Sequence, residues 1–237
     1  MKTKFILATL LLSTSHFIFA QKIFKAIENQ EIEKVVQLVN KGEDVNSVGE
    51  NGVTPLFTAT TTGNYVIVNY LIAKGANVNA RLQSKGTATH FAAQEGDLKM
   101  VELLLNSKAN PNIQDVNGWT PLTFAARNGK LDVVKLLVEN QATIDIKASD
   151  NSTPFCIAVS RKLYDVSAYL LSKGAYVDNL DSDKETPLMY AAQSGNSEMV
   201  KLLLTKNPNI KLKNKDGKTA FDFAKENHHD EIAQLLK

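Results

Sequence analysis

The sequence predicts an all-α protein built as a helical repeat solenoid, and three observations carry that prediction. A threonine recurs every 33 residues, at Thr54, Thr87, Thr120, Thr153, Thr186 and Thr219, and opens a similar phrase each time: TPLFTA, TATHFA, TPLTFA, TPFCIA, TPLMYA, TAFDFA. Behind each phrase lie two short stretches whose apolar residues are spaced for helices rather than strands. Apolar side chains make up 43% of the chain, ample for a continuous core.

Taken in order, residues 1–20 stand outside the array. Lys2 and Lys4 precede the apolar run Phe5 to Leu12, and Ser13 to Phe19 lead to Ala20, a small residue suited to the last position before a signal-peptidase cut. This pattern predicts a secretory signal peptide over 1–20, cleaved between Ala20 and Gln21. The uncharged stretch, Phe5 to Ala20, is shorter than the ~20 residues a membrane span needs. Gln21 also lies 33 residues before Thr54, so the predicted mature chain begins in register with the repeats. Its domain is then 21–237.

Residues 21–46 read as an N-terminal capping repeat. Ile23, Phe24, Ala26 and Ile27 supply a first helix, and Ile32, Val35, Val36, Leu38 and Val39 a second, which closes on GEDVN. Glu28, Glu31, Glu33 and Lys34 provide the polar outer face a terminal repeat needs.

The copy from Trp119 to Val138 shows the logic of the rest. Thr120 is suited to cap a helix N-terminus, and Pro121 sits where a missing N–H costs nothing. Leu122, Phe124, Ala125 and Ala126 form the apolar side, with the alanine pair admitting a close neighbour. Gly129 suits the left-handed turn that ends the helix. From Leu131 the pattern restarts, with Val133, Val134, Leu136, Leu137 and Val138 on one face and Asp132 and Lys135 off it. Two such helices cannot bury both faces alone, so the copies must stack. In the copy from Thr153, Lys162 stands where Gly63, Gly96, Gly129 and Gly195 stand elsewhere, and Ser167 replaces a valine. It is the expected weak repeat. The last second helix is expected over 230–237, with Ile232, Leu235 and Leu236 inward.

A 33-residue period with a T-P-L-x-x-A core resembles the ankyrin repeat family, over residues 22–237 in unbroken register. The resemblance implies about six and a half units, with cores starting at 54, 87, 120, 153, 186 and 219. It further implies short hairpin-like fingers between units, which form a concave surface with the first helices. It also implies that His90, at a helix-one position often occupied by His in the family, bridges neighbouring loops.

Signals for chemistry are sparse. His228, His229 and Asp230 lack a further ligand, and adjacent helical residues point in different directions, which favours a solvated terminal turn. Cys156 has no neighbouring histidine to activate it; the sequence favours a partly buried thiol, with an intermolecular disulfide as the rival. An intrachain bridge is impossible with one cysteine. Glycine-rich phosphate loops, zinc spacings and nucleophile elbows are absent from the sequence, so no catalytic residue, metal or cofactor is expected. The sequon Asn151-Ser152-Thr153 matters only in a eukaryotic secretory pathway. The 27 basic and 25 acidic residues become 25 and 25 once Lys2 and Lys4 leave with the leader, so the global balance supplies no basic face for nucleic acid.

Surface remains. Positions just before each T-P-L, which vary and touch partners in the family, include Glu50, Asn51, Val53, Val116, Asn117, Trp119, Asp150, Asp183 and Glu185. Gln94, Glu95, Arg127, Asn128 and Arg161 follow at the ends of first helices. Trp119, the single tryptophan, is either a binding hot spot with Arg127 beside it or an indole folded back onto the next finger. Residues 178–185 carry net charge −3 and 211–218 carry +3, either an internal pairing or a bipolar docking patch. The expected function is an exported, monomeric protein-binding module: a scaffold, protector or inhibitor of another exported protein, with no membrane contact after cleavage. The periplasm is the first compartment to consider. A hydrolase on the same scaffold, distinguished by Cys156 and His90, and an effector acting in a host cell are the alternatives.

Overall fold

The computed structural model describes residues 22–237, and the expected leader over 1–20 lies outside the described residues. Fourteen α-helices fill the described residues, with no strand among them. In order they are α1 (22–28), α2 (Ile32–Asn40), α3 (Pro55–Thr61), α4 (Tyr65–Ala73), α5 (Ala88–Glu95), α6 (Leu98–Asn106), α7 (Pro121–Arg127), α8 (Leu131–Glu139), α9 (Pro154–Ser160), α10 (Tyr164–Ser172), α11 (Pro187–Gln193), α12 (Ser197–Leu204), α13 (Ala220–Glu226) and α14 (Asp230–Leu235).

The helices start where threonine chemistry dictates. Thr54, Thr120, Thr153, Thr186 and Thr219 each accept a bond from the backbone N–H three residues on, satisfying one amide that the helix cannot. They stop where the backbone turns left-handed. Residues 30, 63, 96, 129, 162, 195 and 228 all have positive φ, as do 42, 75, 108, 141, 174 and 207, and the finger positions 52, 85, 118, 151, 184 and 217. Three left-handed turns per 33 residues are therefore part of the architecture. Glycine fills only some of them, and Lys162 does adopt the conformation expected of the glycine it replaces, at φ 61°.

The described chain forms two compact units, one of residues up to 92 with 99–110, the other of 93–98 with 111–237. In the first, α3 packs on α4 and α2 on α4, over a core that includes Ile23, Ile27, Leu56, Ile67 and Leu71. In the second, the first helices α7, α9, α11 and α13 stack in succession, each against its own second helix. Ala125, Ala126, Ala191 and Ala192 are fully buried there, so the small side chains do bring helices together. Leu122, Val134, Leu137, Leu170, Leu188 and Leu203 fill the layer between; each such side chain contributes roughly 1.5–3 kcal/mol.

An asparagine ladder ties successive copies. Asn46 accepts from Asn77 N–H at 2.7 Å and donates to the Gly75 carbonyl at 3.0 Å; Asn79 bonds Asn110 N–H and the Lys108 carbonyl in the same way, and Asn112 bonds Thr143 N–H and the Gln141 carbonyl. Asp145 and Asp178 take this place next, accepting from Tyr176 and Asn209 N–H. A carboxylate has no N–H to return to the carbonyl, so these two rungs are half-made.

The hairpin-like fingers are present as five-residue turns with two internal backbone bonds, such as Asp115 N–H to the Trp119 carbonyl at 2.9 Å and Gly118 N–H to the Asp115 carbonyl at 3.2 Å; the first finger holds a 3-10 turn, Glu50–Gly52. Some expectations are corrected. The final helix ends at Leu235, and Leu235 is 38% exposed while Ala233 is buried beside Ile232 and Leu236. Ile32, at the start of α2, is likewise exposed. Among the described residues, both lie on helices with a neighbouring repeat on one side only.

Candidate functional site

All the finger and helix-end residues singled out from Gln94 to Glu185 lie in the second unit. Its fingers are built by short-range capping. Asp115 accepts from both Asn117 N–H and Trp119 N–H at 2.8 Å, and Asp181 accepts from Asp183 and Glu185 N–H at 2.9 and 2.8 Å. Neighbouring fingers are joined by single backbone bonds: Ser149 N–H to the Asn117 carbonyl at 2.9 Å, and Ser182 N–H to the Asp150 carbonyl at 2.7 Å. Gly118 permits the first of these. A Cβ there would lie 2.9 Å from the Ser149 nitrogen.

Trp119 packs on its own repeat. Its indole meets Phe124 of α7 edge to face, centroids 5.1 Å apart, and the Arg127 guanidinium lies over the indole, 4.9 Å from the centroid. The reason is geometric: Trp119 immediately precedes the helix cap, so its side chain reaches the helix it introduces, and Arg127 reaches back along that helix. Such a contact contributes about 0.5–1 kcal/mol. Val116, 53% exposed at the finger tip, and Asn117 stand beside it in sequence.

Around this stack the other residues separate into groups. Asn128 donates to the Gln94 carbonyl at 3.2 Å, and Gln94 donates to Glu95 at 3.1 Å. Asp150 caps its own turn through Ser152 N–H at 3.0 Å. Asp183 pairs with Lys215 at 3.3 Å, and Glu185 accepts from Asn214 at 3.3 Å, so the acidic and basic segments do engage each other in part. Arg161 is exposed at the end of α9.

The candidates for chemistry are absorbed by helix capping. At the third position of successive first helices, His90, Thr123, Met189 and Asp222 each accept a bond from the N–H of the threonine that caps them; His90 Nδ1 does so at 3.1 Å and also lies 2.9 Å from the Thr87 hydroxyl. Those Thr87 bonds fall within a single helix start. They make Nδ1 an acceptor. Cys156 takes the same place, its sulfur accepting from the Thr153 hydroxyl at 3.3 Å and from Asn179 Nδ2 at 3.4 Å. It is fully rather than partly buried, 2% exposed, and burial pushes its thiol pKa up, away from nucleophilic character. Next to it, Tyr190 donates to buried Asp181, and burial together with that bond holds the phenol protonated. His228 occupies a left-handed turn and His229 Nε2 lies 3.2 Å from the Gln193 carbonyl, so the two side by side in sequence serve different local roles.

The first unit carries a separate open cavity of about 640 Å³ between residues 24–29 and 48–53, where Glu50, Asn51 and Val53 are joined by Phe24, Lys25 and the exposed Val48. Sequence reasoning had placed the three finger residues on a surface but had no signal for the cavity, which depends on how the first helix faces the finger.

The paired helices, capped fingers and repeat-to-repeat ladder define a repeat scaffold. The chain belongs to the ankyrin repeat family: the family described as Ankyrin repeats (3 copies) matches residues 23–115, 89–181 and 177–237. The chain is also similar to the crystal structure of the human ASB11 ankyrin repeat domain, at 28% identity and a TM-score of 0.78, over 91% of this chain and 97% of that one. No curated protein matches it. Ankyrin repeat domains are generally protein–protein interaction scaffolds and typically non-enzymatic.

Proposed function

We propose that this chain is an exported module that binds another protein through the fingers and first helices of its second unit, protecting, scaffolding or inhibiting that partner as a monomer. The leader-like pattern over 1–20 supports export, with the mature chain starting at Gln21. The observation that carries the binding reading is the Trp119–Arg127 stack. An aromatic and an arginine, the residue types richest in binding hot spots, are pre-ordered on Phe124 beside an exposed finger tip. An enzymatic role gains no support, since Cys156 and His90 both occupy helix-cap positions.

The test is affinity capture from the periplasm or culture medium with the mature chain and its Trp119→Ala variant. The wild type is expected to retain one protein that the variant loses, because removal of the indole also releases Arg127. Equal capture by both would remove this stack from the binding surface.

A further inference from the structure

Three asparagines precede a glycine, at Asn51–Gly52, Asn117–Gly118 and Asn128–Gly129. Asparagine is a chemically labile residue, and a following glycine removes the side chain that would shield the next amide nitrogen. That nitrogen can attack the carboxamide carbon. A C–N bond forms, the bond from that carbon to the side-chain nitrogen breaks, and the proton lost by the glycine nitrogen is balanced by the one that leaves with the ammonia. Water then opens the succinimide ring at either of its carbonyls, giving aspartate or isoaspartate. The sequence needs no oxidant, reductant or reactant other than water.

The two pairs of the second unit differ in what holds them. Asn128 ends α7, and its Nδ2 donates to the Gln94 carbonyl at 3.2 Å. Gly129 N–H donates to the Ala126 carbonyl at 3.2 Å and Lys130 N–H to the Ala125 carbonyl at 2.9 Å, so swinging the Asn128 carboxamide onto Gly129 would unmake the link between the packed helices α7 and α8. Asn117 stands exposed at a finger tip and is held through its main chain, its N–H on Asp115 Oδ1 at 2.8 Å and its carbonyl receiving Ser149 N–H at 2.9 Å. Its carboxamide bonds to none of the described residues. Reaction there opens the bond from Ser149 and the 3.2 Å bond from Gly118 N–H to the Asp115 carbonyl, and moves no helix. Opening a surface turn costs less than parting packed helices. In the first unit Asn51 starts from another turn, being itself left-handed at φ 56°.

We propose that Asn117–Gly118 is a site of spontaneous deamidation, at which the folded chain slowly exchanges a neutral finger tip for a carboxylate. The array accommodates that product. One, two and three repeats on, the same finger position is held by Asp150, Asp183 and Asp216, all exposed, so the converted chain carries a carboxylate at this place in four successive fingers of the second unit. The new charge appears between Val116 and Trp119 on the proposed binding surface, but the reaction does not depend on what that surface binds.

The test incubates the mature chain at neutral and at mildly alkaline pH, with peptide mapping by mass spectrometry and enzymatic labelling of isoaspartate. Asn117 is expected to convert several-fold faster than Asn128 in the folded chain, and faster at the higher pH, because hydroxide removes the Gly118 proton. In urea the two rates should converge. Asn117→Gln, whose longer side chain closes the ring far more slowly, should abolish conversion at this position. Asn117→Asp should keep the thermal midpoint of the wild type. Conversion of Asn128 as fast as Asn117 in the folded chain, or an unreactive Asn117 in a chain that converts in urea, would overturn the proposal. So would a difference that persisted in urea, since its cause would then lie in the flanking residues rather than in the finger. A lowered midpoint in Asn117→Asp would overturn the claim that the finger accommodates the charge.

Discussion

At the residue scale, the repeat makes a demand that most side chains resist. Each unit needs three residues in the left-handed region, and here lysine, glutamine, asparagine and histidine meet it at nine of these positions. A left-handed non-glycine residue costs about 1–2 kcal/mol, part of which glycine returns through its larger unfolded-state entropy. Lys162 is the clearest instance, since its side chain compensates only through an exposed bond from Nζ to the Ser194 carbonyl at 3.2 Å. Lys162→Gly is expected to stabilise the protein by about 0.5–1 kcal/mol, seen as a higher urea midpoint. A lower midpoint would mean that the bond to Ser194 outweighs the strain. Sequence comparison between copies revealed Lys162 but passed over Gln30 and His228 at the same repeat position. Only the backbone angles show that those terminal copies make the same turn.

At the scale of the element, the helix pair α9–α10 departs most from its siblings. Ser167 is fully buried where Val68, Val101, Val134 and Val200 are fully buried, and it survives there by donating to the Leu163 carbonyl at 2.8 Å. Its hydroxyl is satisfied, so what is lost is apolar volume rather than a hydrogen bond. Cys156 on the paired helix offers a reporter, because a buried thiol reacts only when its surroundings open. Ser167→Val is expected to add about 1 kcal/mol to this repeat and to slow thiol labelling of the native chain roughly fivefold. An unchanged rate would show that α9 opens independently of α10.

At the scale of the whole molecule, the array and its proposed destination have different supports. Repeats of this kind gain stability from stacking rather than from disulfides, which agrees with a single buried cysteine. Export rests on the leader pattern. Expression of the full chain with fractionation and N-terminal sequencing should recover an exported protein that starts at Gln21. Recovery of an intact N-terminus in the cytoplasm would sink that part of the reading. What the sequence determined by itself was the repeat: caps, prolines, alanine pairs and helix faces act between residues a few positions apart, so each copy writes them again and the period exposes them. What only the tertiary structure decided was the use of single side chains. The indole of Trp119 turned onto its own helix and met Arg127, and Cys156 and His90 were enlisted as caps. These choices occur once, depend on which neighbours meet in space, and leave no period to read.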